Sequence, residues 1–339
     1  MHKKNIYPMT FKPVFKDYVW GGRNLAAKLG RQIPDGVIAE SWEIAGHADG
    51  DTIIENGTLV GQRLSEALAK LGVDLIGTSC QWAQERNQFP LLIKLLDAQN
   101  NLSVQVHPND EYALQHEENS LGKTEMWVAL HAEKDAKIIL GVKKGATPDK
   151  FKKAIVEGKL EAFLHEIPVR TGDHICVPAG SLHAIMGGLV IAEIQQNSNI
   201  TYRVYDWNRL GADGKPRALH IDQSMDVINF DQIEPKLHKP RLISEQDTIK
   251  RQMLCQNQYF SVERFEFAPN ATFAGNCDGS TFEIWGPISG QATISSEHNE
   301  VALSGVKFAL LPAALGSFSV KTDAAATTML RVYVDSDTL

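Results

Sequence analysis

Short runs of β-branched and aromatic residues, each closed by Gly, Pro, Asn or Asp, recur along this chain of 339 residues. Such runs are typical of β-strands that are separated by tight turns. Two segments have helical spacing instead: apolar residues lie three and four apart over 59–71, and Thr-Pro-Asp at 147–149 starts a segment that runs to about His165, with Gly158 as a candidate break. The pattern predicts a mainly β architecture with helical insertions at about 59–88 and 147–166.

The predicted strands divide into two groups. The first group comprises 91–96, 102–106, 126–131, 136–142, 173–177, 189–195 and 201–207, and the second comprises 259–267, 281–285, 291–295, 306–311 and 328–334. Prolines and basic residues interrupt the pattern near 230–241, so we expect one unit at 1–235 and a second, small sandwich or barrel at 236–339.

Composition limits the classes of partner. A formal net charge of −7 argues against nucleic acid or an anionic membrane, because neither attracts an acidic surface. The basic N-terminus precedes no apolar core of signal-peptide length, which predicts a cytoplasmic protein. Four scattered cysteines without a C-x-x-C pair favour reduced structural thiols over a disulfide framework.

The segment Leu102-Ser103-Val104-Gln105-Val106-His107-Pro108 alternates strictly between apolar and polar residues. In a strand, Ser103, Gln105 and His107 therefore share one face. Gln and His two residues apart can reach one metal ion when that face points into a cavity. A half-buried surface strand has the same alternation, so both interpretations stay open for this segment alone.

A second motif, from Gly172 to His183, has the spacing G-D-x4-P-x-G-x2-H. It resembles the second motif of the cupin superfamily, whose double-stranded β-helix holds a metal inside a small barrel. The resemblance implies that His183 faces a cavity. It also implies two tandem cupin barrels, since the second strand group faintly echoes the same motifs without their histidines.

Further motifs resemble those of type I mannose-6-phosphate isomerases, in the short bacterial form. The motifs are Gln105-Val106-His107-Pro108, Lys123-Thr124-Glu125-Met126-Trp127, Leu182-His183-Ala184 and the segment 193–207 (EIQQNSNITYRVYDW). The resemblance covers Pro13 to about Phe230. Thr124 departs from the pattern, because many members have Pro there, but the Lys and the Glu on either side are retained.

The resemblance implies one Zn²⁺ per chain, held by Gln105, His107, Glu125 and His183. Two imidazoles, one carboxylate and one amide oxygen suit zinc, with Mn²⁺, Co²⁺ or Fe²⁺ as substitutes. The implied reaction interconverts mannose 6-phosphate and fructose 6-phosphate through an enediol. Alternatives are a related isomerase of different sugar preference and a non-catalytic sugar-phosphate-binding cupin.

The active-site arginine of the family corresponds to Arg203, which we expect to stabilise the enediolate. Lys123, Glu193 and a zinc-bound water stay open as proton-transfer groups. Lys94, Ser103 and Lys123 are the expected contacts for phosphate, and Trp20 is a candidate for the pocket wall. The expected partner is a small sugar phosphate; the oligomeric state stays open, and a monomer is compatible with the sequence.

Overall fold

The computed structural model describes residues 6–118, 120–211, 214–297 and 299–335. The strands before residue 236 are β1 (Met9–Lys12), β2 (Val14–Lys16), β3 (Glu40–Ile44), β4 (Gly46–His47), β5 (Gly50–Asp51), β6 (Ile53–Ile54), β7 (Leu91–Ala98), β8 (Val104–Val106), β9 (Glu125–Ala132), β10 (Lys137–Val142), β11 (Leu164–Pro168), β12 (His174–Val177), β13 (His183–Ile185), β14 (Leu189–Gln196) and β15 (Tyr202–Tyr205). Those after it are β16 (Arg241–Gln246), β17 (Ile249–Gln256), β18 (Ser261–Phe267), β19 (Thr272–Cys277), β20 (Glu283–Ser289), β21 (Ala292–Ser296), β22 (Glu300–Leu303), β23 (Ala309–Leu311), β24 (Gly316–Thr322) and β25 (Thr327–Tyr333). The mainly β prediction is confirmed.

The helices lie mostly between the early strands. They are α1 (Asn24–Leu29), α2 (Leu64–Leu71), α3 (Val73–Ile76), α4 (Gln81–Glu85), α5 (Asp110–His116), α6 (Pro148–Val156) and α7 (Ile221–Val227), with 3₁₀ turns at Gly57–Leu59, Thr78–Cys80, Leu160–Phe163 and Ala313–Leu315. Thr147 caps α6, since its hydroxyl accepts from the Lys150 N–H at 3.4 Å. The helix ends at Val156 and does not reach His165; Gly158, the candidate break, follows its end with φ of 69°, and a strand begins at Leu164.

Four larger sheets organise the strands. The six-stranded sheet has the order β12-β9-β14-β7-β3-β2, and the five-stranded sheet has the order β11-β10-β13-β8-β15. The later strands form a four-stranded sheet, β19-β24-β21-β22, and most of an eight-stranded one, β16-β17-β18-β25-β20-β23-β1-β6. Because β1 and β6 complete that last sheet, the beginning of the chain is fastened to its final part.

In the six-stranded and the five-stranded sheet, one row of paired residues runs across the strands and carries predicted site residues. In the six-stranded sheet, Glu193 pairs with Trp127 on one side and with Lys94 on the other. In the five-stranded sheet, Gln105 pairs with His183 on one side and with Arg203 on the other. Antiparallel register therefore brings residues that are far apart in sequence into two facing rows.

The two parts of the chain are joined by more than β1. The backbone N–H groups of Thr78 and Ser79 donate to the carbonyls of Gly279 and Ser280 at 3.1 and 2.9 Å. One apolar core also includes residues from both parts, among them Leu64, Leu91, Phe282 and Leu330. The helical insertion at 59–88 thus packs between the two strand groups and stabilises both.

Cys176 on β12 and Cys255 on β17 form a disulfide, with Cα atoms 6.1 Å apart. The expectation of reduced thiols is wrong for this pair, because the contact arises from the packing of two distant strands and leaves no trace in local cysteine spacing. Cys80 and Cys277 are free and buried, as expected.

His174 on β12 lies beside Arg264 of β18, whose guanidinium donates to the Gly172 carbonyl at 3.3 Å. The His174 side chain is buried, and its Nε2 has no hydrogen-bond partner within the described ranges of the chain. Burial, reinforced by the Arg264 charge, lowers the pKa of His174 to about 4. The imidazole is therefore neutral in the folded protein at neutral pH.

We expect His174→Gln to reduce the loss of stability on acidification. Between pH 6.5 and pH 4 the unfolded histidine binds a proton that the folded one does not, so the His174 contribution falls as pH falls. Denaturant unfolding at pH 7 and pH 5 measures the loss for each protein. A variant that loses as much unfolding free energy as the parent would contradict this assignment.

Candidate active site

A cavity of about 310 Å³ lies between the two facing rows. Its lining includes the residues predicted from the sequence as Lys94, Ser103, Gln105, Lys123, His183, Glu193, Arg203 and Trp20, together with Tyr18, Glu40, Leu96, Leu102, Trp127, Ile185, Asn199, Thr201 and Arg217. Two further predicted residues adjoin this group: Glu125 contacts Lys123 and His183, and His107 contacts Glu125. The structure thus brings every predicted site residue to one place.

His107, Glu125 and His183 form the deepest part of the site. Their potential ligand atoms all lie within 4.8 Å of one another, and each residue is only 1% exposed. His107 Nε2 lies 3.2 Å from Glu125 Oε1, and His183 Nε2 lies 3.8 Å from Glu125 Oε2. One carboxylate therefore faces two imidazoles in a space closed to bulk water.

Backbone carbonyls determine the tautomer of both imidazoles. His107 Nδ1 lies 2.7 Å from the Ile200 carbonyl, and His183 Nδ1 lies 2.9 Å from the Ser181 carbonyl. A carbonyl only accepts, so each Nδ1 carries the hydrogen and each Nε2 presents a lone pair to the site. Burial lowers the pKa of His107 to about 3 and lowers that of His183 as well, so both rings are neutral.

The turn before His183 connects the two histidines. Gly180 has φ of 84°, a conformation that glycine adopts readily, and its N–H donates to the His107 carbonyl at 2.8 Å. A Cβ at this position would also approach the Val227 carbonyl to 3.0 Å. The glycine of the Pro-x-Gly motif therefore lets the turn approach the backbone of His107 closely enough to hydrogen-bond with it.

Gln105 lies beside this cluster, with its side-chain amide 3.3 Å from His183 Nε2. The Ser103 hydroxyl donates to the other end of the same amide at 3.2 Å. The oxygen and nitrogen of an amide exchange places by a simple rotation. Gln105 can therefore present an oxygen to the cluster, and Ser103 and Gln105 share the cavity-facing side of their segment, as the alternation predicts.

Glu125 is ionised although it is buried. Burial alone would raise its pKa, but the Lys123 ammonium, 2.8 Å from Oε1, holds the pKa of Glu125 well below its usual range. The Trp127 indole N–H donates to Glu125 Oε2 at 3.1 Å and to Glu193 Oε2 at 3.0 Å. Trp127 thus holds two carboxylates at once.

The cluster has a donor set that suits a divalent metal ion. Among the described residues, the buried His107 Nε2 has no hydrogen-bond partner. Buried polar atoms are rarely left without a partner. Two imidazole nitrogens and a carboxylate, with an amide oxygen beside them, fit a divalent ion of the zinc type.

Lys94 and Glu193 lie on the neighbouring part of the wall. The Lys94 ammonium is 3.7 Å from Glu193, 3.6 Å from Glu40 and 4.8 Å from the centre of the Trp42 ring. Burial, with the Glu125 charge nearby, raises the pKa of Glu193 to about 7. Lys123 stays protonated, because the Glu125 and Glu193 carboxylates outweigh burial and raise its pKa.

Arg203 faces the same cavity with Arg217. Arg203 Nη1 donates to the Ala218 carbonyl at 3.0 Å, whereas its buried Nε has no partner among the described residues. Asp206 accepts two hydrogen bonds from Arg217, at 2.8 and 2.5 Å, and one from Arg209 at 2.6 Å. Sequence reasoning missed Arg217 and Asp206, because their contact with the site depends on how the segment after β15 folds back.

Trp127 was also missed, although a sequence signal was present. Glu-x-Trp occurs at 40–42, at 125–127 and at 283–285. In each case the indole N–H donates to the carboxylate two residues earlier, at 2.6, 3.1 and 2.6 Å. Residues two apart on a strand point to the same face, so the Glu-x-Trp pattern alone brings the carboxylate and the indole together.

These features together have the arrangement of cupin proteins, in which a His–Glu–His cluster lies in a cavity between two β-sheets. The family model for the phosphomannose isomerase type I catalytic domain matches residues 9–121. The chain is 36% identical over 315 residues to the probable mannose-6-phosphate isomerase GmuF of Bacillus subtilis, covering 93% of this chain and 96% of that protein. It is 37% identical over 314 residues to the mannose-6-phosphate isomerase ManA of the same organism, with the same coverage.

A solved structure agrees with these relatives. The mannose 6-phosphate isomerase from Bacillus subtilis superimposes with a TM-score of 0.85 at 31% identity, covering 96% of this chain and 99% of that one. The chain belongs to the type I mannose-6-phosphate isomerase family. No helix among the described residues has the length and apolar character needed to span a bilayer.

We expect Trp127→Phe to lower the affinity of the cluster for Zn²⁺ by about tenfold or more, because the Glu125 carboxylate loses its indole donor. Competition with a chromophoric chelator measures this affinity directly. Trp285→Phe is the matched control, since it removes the same Glu-x-Trp hydrogen bond far from the histidines. Equal zinc affinity in the Trp127 variant and the parent protein would contradict the positioning role of Trp127.

Proposed function

We propose that this protein is a zinc-dependent mannose-6-phosphate isomerase, which interconverts mannose 6-phosphate and fructose 6-phosphate through an enediol. The observation that carries the proposal is the buried His107–Glu125–His183 cluster, two neutral imidazoles and one carboxylate, beside a cavity lined by lysine and arginine. The names and the coverage of the relatives support the same reaction.

We further propose that the chain comprises two cupin-type units, 1–235 and 236–339. The five- and six-stranded sheets face each other in the first unit, and most of the eight-stranded sheet accompanies the four-stranded one in the second. Within the described part of the chain, the cluster that suits a metal belongs to the first unit. The second unit is proposed to stabilise the first through β1 and the shared core.

Gln105, His107, Glu125 and His183 would hold the zinc ion. When bound, zinc supplies Lewis-acid polarisation of sugar oxygens and neutralises developing negative charge. The amide of Gln105 contributes a ligand without adding charge, so the four side chains together carry a single negative charge. Hydrogen bonds from Nδ1 to the carbonyls of Ile200 and Ser181 keep both imidazoles oriented for this purpose.

Glu193 is the proposed proton carrier between the two sugar carbons. Isomerisation requires removal of a proton next to a carbonyl and its return to the adjacent carbon. Glu193 lines the cavity, and a carboxyl group whose pKa is raised to about 7 exists in both the acid and the base form near neutrality. Lys123 stays cationic between Glu125 and Glu193, where it can stabilise the negative charge of the enediolate.

Arg203 is the proposed partner of the reacting end of the open-chain sugar. Arg203 pairs with Gln105 across the five-stranded sheet. Its Nε has no partner among the described residues and can donate to a sugar oxygen. Ser103, Lys94 and Trp20 line the cavity and are proposed to contact sugar hydroxyl groups and the sugar face. Ion pairs with Glu40 and Glu193 keep Lys94 in place for that role.

Complete removal of divalent ions is expected to abolish isomerisation, and Zn²⁺ is expected to restore it. The protein is dialysed against a strong chelator, metal content is verified by elemental analysis, and fructose 6-phosphate formation is followed in a coupled assay. Turnover that persists at full rate in verified metal-free protein would rule out the zinc-dependent mechanism.

Glu193→Gln is expected to lower kcat by about 100-fold or more, because the amide cannot accept the sugar proton. Exchange of the substrate C2 hydrogen with solvent deuterium should fall in parallel while bound zinc is retained. Glu40→Gln is the control, since Glu40 also contacts Lys94 but is not the proposed proton carrier. Rapid C2 exchange in the Glu193 variant would exclude this carboxylate as the base.

A further inference from the structure

Two segments that carry proposed metal ligands run side by side. We call 107–110 the histidine segment and 122–125 the glutamate segment, after the ligand that each contains. The Lys123 N–H donates to the Pro108 carbonyl across the gap at 3.0 Å. A Cβ on Gly122 would approach the backbone of the histidine segment to 2.4 Å, so a glycine is required where the two segments meet.

Asp110, at the end of the histidine segment, joins the two segments through one oxygen. Its Oδ1 accepts from the Gly122 N–H at 2.8 Å and from the side-chain amide of Gln196 at 3.0 Å. Gln196 is buried, and its Oε1 in turn accepts from the Thr124 N–H at 2.8 Å. The Asp110 carboxylate therefore fixes the glutamate segment at two points, directly at Gly122 and through Gln196 at Thr124.

The same set of hydrogen bonds extends to the turn before His183. The Thr124 hydroxyl accepts from the Ala179 N–H of that turn at 3.3 Å. One residue later, the Gly180 N–H donates to the His107 carbonyl at 2.8 Å. The three segments that supply the histidines and the glutamate of the cluster are therefore joined by contacts that involve no ligand side chain.

Asp110 is not part of the active-site cavity lining, and it lines instead a separate cavity of about 400 Å³ together with Gln196 and Tyr259. The Tyr259 hydroxyl, from the loop between β17 and β18, lies beside the Asp110 carboxylate. Burial, reinforced by the Asp110 charge, raises the pKa of Tyr259 to about 12. Asp110 can therefore act on a bound ion only through the segments that it joins.

We propose that Asp110 is a positioning residue for the metal site. Its hydrogen bonds set the spacing between the histidine and glutamate segments, and with it the geometry in which His107 and Glu125 receive an ion. The proposal rests on the proposed function, since it concerns the ligands named there. Both hydrogen bonds end on a single oxygen, so an amide oxygen in the same place would accept them equally. Hydrogen bonding and charge at Asp110 can therefore be tested separately.

Cobalt absorption tests the geometry of the site without turnover. Co²⁺ is added to the metal-free parent protein, to Asp110→Ala and to Asp110→Asn, each checked for its melting temperature. The visible absorption bands of bound Co²⁺ report its ligand number and geometry, and competition with a chromophoric chelator gives the affinities for Co²⁺ and Zn²⁺. Asp278→Ala is the control, because Asp278 Oδ1 also accepts two hydrogen bonds, from the N–H and the hydroxyl of Ser280.

In Asp110→Ala, we expect both ions to bind at least about tenfold more weakly and the cobalt bands to change, because the ligand segments are no longer held together. Asp110→Asn should keep the parental spectrum and an affinity within about threefold of the parent protein, since the amide oxygen accepts both hydrogen bonds. Asp278→Ala should bind both ions as the parent protein does. If Asp110→Ala does not fold, Gln196→Met removes the link to Thr124 at similar side-chain volume and is expected to change the cobalt bands in the same way.

An unchanged cobalt spectrum and metal affinities within about twofold of the parent protein in Asp110→Ala would overturn the assignment. An equal loss in Asp110→Asn would also overturn it, because the effect would then come from charge, and so would an equal loss in Asp278→Ala. Metal binding by the parent protein without isomerisation of mannose 6-phosphate would overturn the proposed function, while the cobalt spectra still judge Asp110. Failure of the parent protein to bind either ion would overturn both proposals.

Discussion

The ionised carboxylate of Glu125, buried in the protein interior, is the constraint on which the site depends. A buried charge is costly unless charged or hydrogen-bonding groups surround it. Here the Lys123 ammonium and the Trp127 indole N–H meet that requirement, while the Nε2 lone pairs of two neutral imidazoles face the same carboxylate. The antiparallel registers that bring β8, β9, β13 and β14 together are therefore the source of the chemistry as well as of the fold.

The same Glu-x-Trp hydrogen bond occurs in two sheets, where the carboxylate has different further partners. At Glu125 the indole supports a carboxylate that faces two histidines. At Glu283 the same bond supports a carboxylate that accepts from Arg331 at 2.9 and 2.5 Å. A guanidinium thus satisfies the buried acid in the second part of the chain, where the sequence lacks the corresponding histidines.

Local sequence pattern predicted most strands and the cavity-facing side of Ser103, Gln105 and His107, because alternation is a property of a single strand. Contacts that depend on distant elements were not predictable in this way. The Cys176–Cys255 disulfide joins strands 79 residues apart, and Arg217 reaches the cavity only because its segment folds back along β15. The ion pairs of Lys94 with Glu40 and Glu193 likewise join neighbouring strands, so the pattern of a single strand did not reveal them.

Anomalous X-ray scattering at the zinc edge, from crystals of the zinc-loaded protein, would locate the metal directly. We expect one strong peak per chain within bonding distance of Gln105, His107 Nε2, Glu125 and His183 Nε2. A peak coordinated by other residues, or stoichiometric zinc with no density at these four side chains, would contradict this assignment.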